Sequence, residues 1–323
     1  MDNMAVYKKT IGFSLRRLVW DLLAMVVLAG CGVAGFMIAD KSTNKGLIGL
    51  LVGALVAIVI IVVMMRWVSY KYKAGQIAMM TRGVTEGTLP DDVIGEGKRV
   101  VKERFMTVAA FFAVTGIIKG IFNEIGRAIT RLGESIGGDT GNAVGSAIST
   151  VINTIVSYLC DCCLGWVFYR KDVKSTKATC EGAVLFFKHG KTFAKNMARV
   201  FVFAIVSLLL IGGIFFGIAF LIFRQFPDLF NNLAAEIAEA ATRNSSKIPD
   251  FLKDPNTLII AAAVLVGVIM WSIIHSVFIR PYVLIGVLRN YIASGIKDIP
   301  SEESFAALDA KSRKFKKLHS ELA

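Results

Sequence analysis

Six long apolar blocks constrain this chain more than any other feature. They run Val19–Ala39, Gly46–Met65, Phe105–Ile125, Val144–Phe168, Ala198–Phe223 and Leu258–Ile279. A helix needs about 20 apolar residues to cross the hydrocarbon of a bilayer, and every block reaches that length. The third is the weakest, because Lys119 and Glu124 interrupt it. Composition points the same way. The chain is 55% hydrophobic and only 19% charged, where a soluble domain carries roughly 25% charged residues. The first block is too long for a signal-peptide core and lacks a small-x-small cleavage site, so it reads as a retained span.

Basic residues test the count. Taken in chain order, the segments outside the blocks hold 4, 8, 8 and 8 Lys and Arg on one side, counting Arg199 at the very start of the fifth block, against 2, 2 and 4 on the other. This is a positive-inside alternation with both termini cytoplasmic. The expected fold class is all-α: a polytopic membrane helix bundle of about six transmembrane helices, with amphipathic helices at the interface. The whole chain, 1–323, reads as a single integral membrane domain with a basic amphipathic cytoplasmic tail over 300–323. In that tail Phe305, Leu308, Phe315 and Leu318 recur at helical spacing among five basic residues between Lys311 and Lys317. Such a helix suits the inner surface of a membrane, and calmodulin-target helices look similar. The stretch NLAAEIAEAATRNSS reads as a second amphipathic helix, on the outer side. It contains Asn244-Ser245-Ser246, an acceptor pattern for N-glycosylation.

The net charge of +13 flanks the apolar blocks rather than covering a soluble domain. The partners it implies are the bilayer and its anionic lipid head groups, not nucleic acid. Assembly of the chain with itself is left open, as is the membrane in which it resides.

The densest chemistry lies in SYLCDCCLGWVFYRKD, residues 157–172, with Cys160, Cys162 and Cys163 around Asp161. No second CxxC pair accompanies them and the histidines are scattered, so neither a metal site nor a cofactor is expected. A disulfide is disfavoured near a reducing cytoplasmic face. Cysteine packs well between helices as a small apolar residue. Cys162 and Cys163, near the interface, are also candidates for acylation. Trp166 and Tyr169 then read as aromatic belt residues ahead of Arg170 and Lys171.

Asp161 is an ionisable group within a span. It either lines a pathway or reaches the interface for solvation. Lys119 reads as lying nearer the opposite end of its own span, so the two are not paired. His275, in WSIIHSVFIRPY, can relay protons or hydrogen-bond a neighbouring helix. Gly30, Gly32 and Gly35 in the first span, and Gly212, Gly213 and Gly217 in the fifth, suit close helix contact. The sequence has no HExxH, no paired intramembrane aspartates and no Ser/His couple with plausible geometry, and its ionisable groups are scattered, so an enzyme is not expected.

The segment TCEGAVLFFKHGKTFAKNMARVFVFAIVSLLLIGGIFFGIAFLIF, followed after a loop by VLVGVIMWSIIHSVF, resembles the C-terminal part of choline transporter-like proteins. The corresponding residues are Asn196, Arg199, Gly212, Gly213, His275, Ser276 and Phe278. After the last span that family tends to an acidic segment, whereas this chain reads RPYVLIGVLRNYIASG. The resemblance implies transport of a small organic cation such as choline. A quaternary ammonium group needs an aromatic cage, and the residues proposed for such a pathway are Asp161, His275, Tyr158 and Trp271. The alternative is a membrane scaffold or lipid-organising protein that transports nothing.

Overall fold

Two helices of the chain leave α-helical geometry for one π-helical turn at Ser69–Lys73 and at His275–Ile279, and a third does so at Leu208–Gly212. These turns break up an otherwise all-helical chain, seen here in a computed structural model that describes residues 1–43, 46–106, 108–134, 156–243, 249 and 253–320. The elements in order are α1 (Asn3–Thr43), α2 (Gly46–Val68), α3 (Ala74–Thr85), α4 (Val93–Arg104), α5 (Val108–Glu134) and α6 (Val156–Tyr169). They are followed by α7 (Ser175–Ser207), α8 (Gly213–Phe223), α9 (Pro227–Arg243), α10 (Pro255–Ile274), α11 (Arg280–Lys297), α12 (Glu302–Asp309) and α13 (Arg313–Ser320).

Among the described residues, four helices are long and apolar enough to cross a membrane, or five if the bent pair of α4 and Ala109–Ile121 counts as one span. The chain is thus an all-helical, multi-pass membrane protein. Among the described residues the apolar blocks fall mainly on helices, several of which run further than the blocks. α1 begins at Asn3 and continues to Thr43, because Lys and Arg extend a helix as readily as Leu does. The interrupted third block is bent by 81° against α4. At the break Phe105 leaves helical geometry, with φ −129° and ψ 39°. Of the fourth block only the α6 portion lies within the described residues.

The chain divides into two compact units, Met1–Ala198 with Arg280–Ala323, and Arg199–Ile279. In the first unit α1 and α2 pack together as a hairpin. A β-carbon at Gly35 would collide with the Gly49 carbonyl, and one at Gly53 with the Cys31 carbonyl. Gly30 and Gly32, by contrast, face open space. Trp20 and Trp67 meet edge to face across the hairpin, 5.8 Å apart. Beyond them the segment expected as a cytoplasmic loop continues as a helix. Residues Ala74 to Thr81 of α3 are all buried, and Gly75 and Gly97 close around the Phe13 ring. Buried Gln76 is satisfied by donating to Ser14 Oγ at 2.8 Å and to the Thr10 carbonyl at 3.3 Å.

The tail forms helices, as its periodicity predicts, but its apolar face is turned inward. Phe305, Leu308, Phe315 and Leu318 form one core with Ile121, Cys180, Ala183 and Val184. Ser312 of the connecting turn donates to Glu124 at 2.7 Å. Those apolar side chains are therefore not available to a lipid surface. Periodicity shows that a helix has an apolar face, but not what covers it.

In the second unit Gly267 sits against Gly212, whose carbonyl lies 2.7 Å from where a β-carbon would be. Gly213 and Gly217 face open space. Asp254 caps α10, accepting from the Thr257 amide at 3.0 Å, with Pro255 in the first turn as helix starts favour. The amphipathic α9 buries Phe230 and Ala234 against Leu258 and Ile259. Its apolar face, too, packs on protein. Asn244, the glycosylation candidate, lies outside the described residues.

Candidate functional site

Ser157 and Asp161 are four residues apart on α6 and so share one face of that helix. That face meets two cations. Lys73 Nζ lies 2.7 Å from Asp161 Oδ1, and Arg280 Nη2 donates to Asp161 Oδ2 at 2.6 Å. The same Arg280 nitrogen donates to Ser157 Oγ at 2.6 Å and to the Ser157 carbonyl at 3.2 Å. Asp161 is 4% exposed. Lys73 is the last residue of one π-helical turn, and Arg280 follows immediately after another. An extra residue in a turn rotates the following side chains relative to a regular helix, and such turns gather at functional sites.

A buried carboxylate is stable only when its charge is compensated and its lone pairs are filled. Here both oxygens are engaged, and the three groups together carry one net positive charge. The Arg280 guanidinium also lies over the Tyr158 ring, 5.1 Å from its centroid. Tyr158 is 1% exposed, and its hydroxyl has no hydrogen-bond partner among the described residues.

A cavity of about 800 Å³ opens beside this cluster. Arg66, Lys73, Lys119 and Asp161 supply the charged part of its lining, with Thr115, Asn123 and Ser157 among its polar residues and Phe111, Phe112 and Leu164 among its apolar ones. Lys119, which its place along the span set apart from Asp161, thus borders the same cavity. The bend between α4 and α5 upsets the depth argument, since position along a straight span no longer measures depth.

The four residues proposed for a cation pathway fall into two pairs. Tyr158 and Asp161 belong to the cluster in the first unit. Trp271 and His275 belong to the second unit, where their rings lie 5.1 Å apart and Trp271 Nε1 donates to Ser207 Oγ at 3.0 Å.

The acylation candidates do not hold. Cys162 and Cys163 have no exposed surface. Cys163 Sγ points to the Thr179 carbonyl at 3.7 Å, and a β-carbon at Gly182 would meet that sulfur at 2.6 Å. An acyl chain cannot reach a thiol packed in this way. Trp166 is likewise no belt residue. It is fully buried, with its ring against Gly295, and its Nε1 donates to Glu181 at 3.1 Å. Arg170 joins the same carboxylate at 2.9 Å and pairs with Asp172 at 2.8 Å. Burial pushes the Glu181 carboxyl up, while the Trp166 hydrogen bond and the Arg170 charge pull it back part of the way. The Arg170 hydrogen bond holds exposed Asp172 below the usual carboxylate range.

Sequence reading missed Lys73, Arg280 and Arg66 as site residues because it counted them among cytoplasmic charges. One signal was present. The run AGQIAMM keeps helical apolar spacing past Trp67, which places Lys73 inside a helix rather than in a loop. Among the described residues no three His, Cys, Asp or Glu side chains converge as metal ligands. Compared with known proteins, the chain matches no family model, no curated protein and no solved structure.

Proposed function

We propose that this multi-pass membrane protein engages and organises anionic lipid rather than carrying a small organic cation. One observation carries the reading: Asp161, the carboxylate expected to hold a cation, already has one oxygen on Lys73 and the other on Arg280. A quaternary ammonium ion would have to displace a guanidinium from Asp161 and from the face of Tyr158. Cation–π contact is worth about 2 kcal/mol even when desolvated, too little to offset the buried, hydrogen-bonded Arg280–Asp161 pair that would be broken. The basic residues that flank the spans supply the complementary attraction for anionic head groups, about 1 kcal/mol for each Lys or Arg near the surface.

Transport of choline, implied by the resemblance, is the competing reading, and one reconstitution separates the two. The protein is placed in liposomes containing labelled anionic and zwitterionic lipids. Lipid enrichment around it is read by energy transfer, and radiolabelled choline counterflow is read in parallel. Enrichment of the anionic lipid without exchange above empty liposomes is the expected result. Saturable choline exchange, lost in Asp161→Asn, would overturn the reading in favour of transport.

A further inference from the structure

The cations beside Asp161 outnumber it. Lys73 and Arg280 occupy its two oxygens, yet Arg66 and Lys119 line the same cavity. Among the described residues neither Arg66 nor Lys119 pairs with a carboxylate. Arg66 lies 6.0 Å from the Phe112 ring centroid, a contact that leaves its charge uncompensated. Arg66 and Lys119 are both exposed, and cations gathered in one cleft repel one another, so an anion placed between them is stabilised.

The lining limits which anion. The cavity is far larger than an inorganic ion and lies within the roughly 300–1,000 Å³ of ligand pockets. Its lining also includes Phe111 and Leu164, which favours an anion that carries an apolar part. Approach from the lipid is also built in. Val59, Val62 and Val63 of α2 are exposed at 65%, 47% and 66%, and Arg66 continues their stripe at helical spacing. An apolar face directed at lipid therefore ends on a cation of the cavity. By the basic alternation of the sequence, Arg66 and Lys73 belong to the cytoplasmic side, where anionic head groups concentrate.

We propose that this cavity is a discrete site for one phosphate-bearing amphiphilic anion, with Arg66 and Lys119 on the phosphate and the apolar part against Phe111 and Leu164. Guanidinium and ammonium groups are the side chains that bind phosphate through charge-assisted hydrogen bonds. That the phosphate comes from a lipid head group rests on the lipid reading above. The site itself requires only the phosphate chemistry.

The test is native mass spectrometry of the full chain in detergent, titrated separately with phosphatidylglycerol, phosphatidylcholine and glycerol 3-phosphate. Three proteins are compared: wild type, R66Q/K119Q, and K8Q/K9Q, which removes the same charge from exposed positions that do not line the cavity. Wild type is expected to retain one phosphatidylglycerol and to release phosphatidylcholine. The cavity variant should bind roughly tenfold or more weakly for each cation removed, and the control as wild type does. Lys119→Gln alone carries the same comparison if the double variant has no cooperative thermal transition. Glycerol 3-phosphate bound with the same dependence on Arg66 and Lys119, without lipid, would keep the site and move its source to a soluble phosphate. Equal affinity in all three proteins, or equal loss in both variants, would overturn the site, whatever the liposome experiment says about lipid enrichment or choline.

Discussion

Lys73 and Arg280 grip opposite oxygens of Asp161, although they are far apart in the sequence. Each stands at the end of a π-helical turn. The cluster holds α6 between two long helices, and its energetics are those of a buried ion network. Removing one member costs more than the network as a whole contributes.

Asp161→Asn leaves two cations facing each other with no anion between them. The expected loss is about 3 kcal/mol, at the low end for a broken buried pair, because the Lys73 side chain keeps 32% exposure. Thermal unfolding in detergent reads it. The triple replacement D161L/K73M/R280M should recover most of that loss. A variant no more stable than D161N would show that the carboxylate's geometry, not charge balance, holds the helices.

Thiol chemistry should divide the cysteines by burial. Cys162, Cys163 and Cys180 have no exposed surface, while Cys31 and Cys160 are partly exposed. A membrane-permeant maleimide should label Cys31 and Cys160 in folded protein, and the other three only after denaturation. Mass mapping of labelled peptides checks this, and fast labelling of Cys163 would contradict the packing around Gly182.

Glu181 ties stability to pH. Its folded carboxyl is raised above the usual value of 4.5, chiefly by burial. The folded state therefore holds this proton more tightly than the unfolded chain does. The stability gained in this way is complete below the unfolded value and is lost as pH rises through the raised folded value. Glu181→Gln keeps a hydrogen-bond acceptor for Trp166 but cannot ionise. Relative to wild type, the variant should gain stability as pH is raised from about 4 to about 7. Unfolding midpoints across that range test it, and a constant difference would rule out Glu181 as the source.

The packed tail should open on its own when its core is cut. Phe315 is fully buried against Phe305, with ring centroids 6.3 Å apart. Phe315→Ala should cost about 3–5 kcal/mol of local packing, more than two short helices can lose while staying docked. Limited proteolysis should then cut among Lys311–Lys317, and amides of α12 and α13 should exchange faster. Amides of α8 to α10 should be unaffected. Unchanged protection in α13 would mean that the tail is held by something other than this core.

The hairpin of α1 and α2 was legible because it is set by local facts: apolar length, a short connection and small residues at contact spacing. Gly35 and Gly49 bear this out, whereas Gly30, of the same type and in the same span, meets nothing. A glycine in a span permits contact without choosing the face that makes it. Asp161 stood out for a similar reason, since a carboxylate inside an apolar block always needs compensation. Its partners were hidden, because each lies in a segment that reads as ordinary basic flank.

From sequence alone, the apolar blocks and their basic borders determined that this is a helical membrane protein, since the bilayer demands continuous apolar length whatever the tertiary arrangement. Only the tertiary structure decided which charges are compensated, that Cys162, Cys163 and Trp166 lie in the core, and that the amphipathic tail covers protein instead of lipid. Hydrophobicity acts on any apolar neighbour without distinction, whereas an ion pair or a packed thiol requires particular atoms a few ångströms apart.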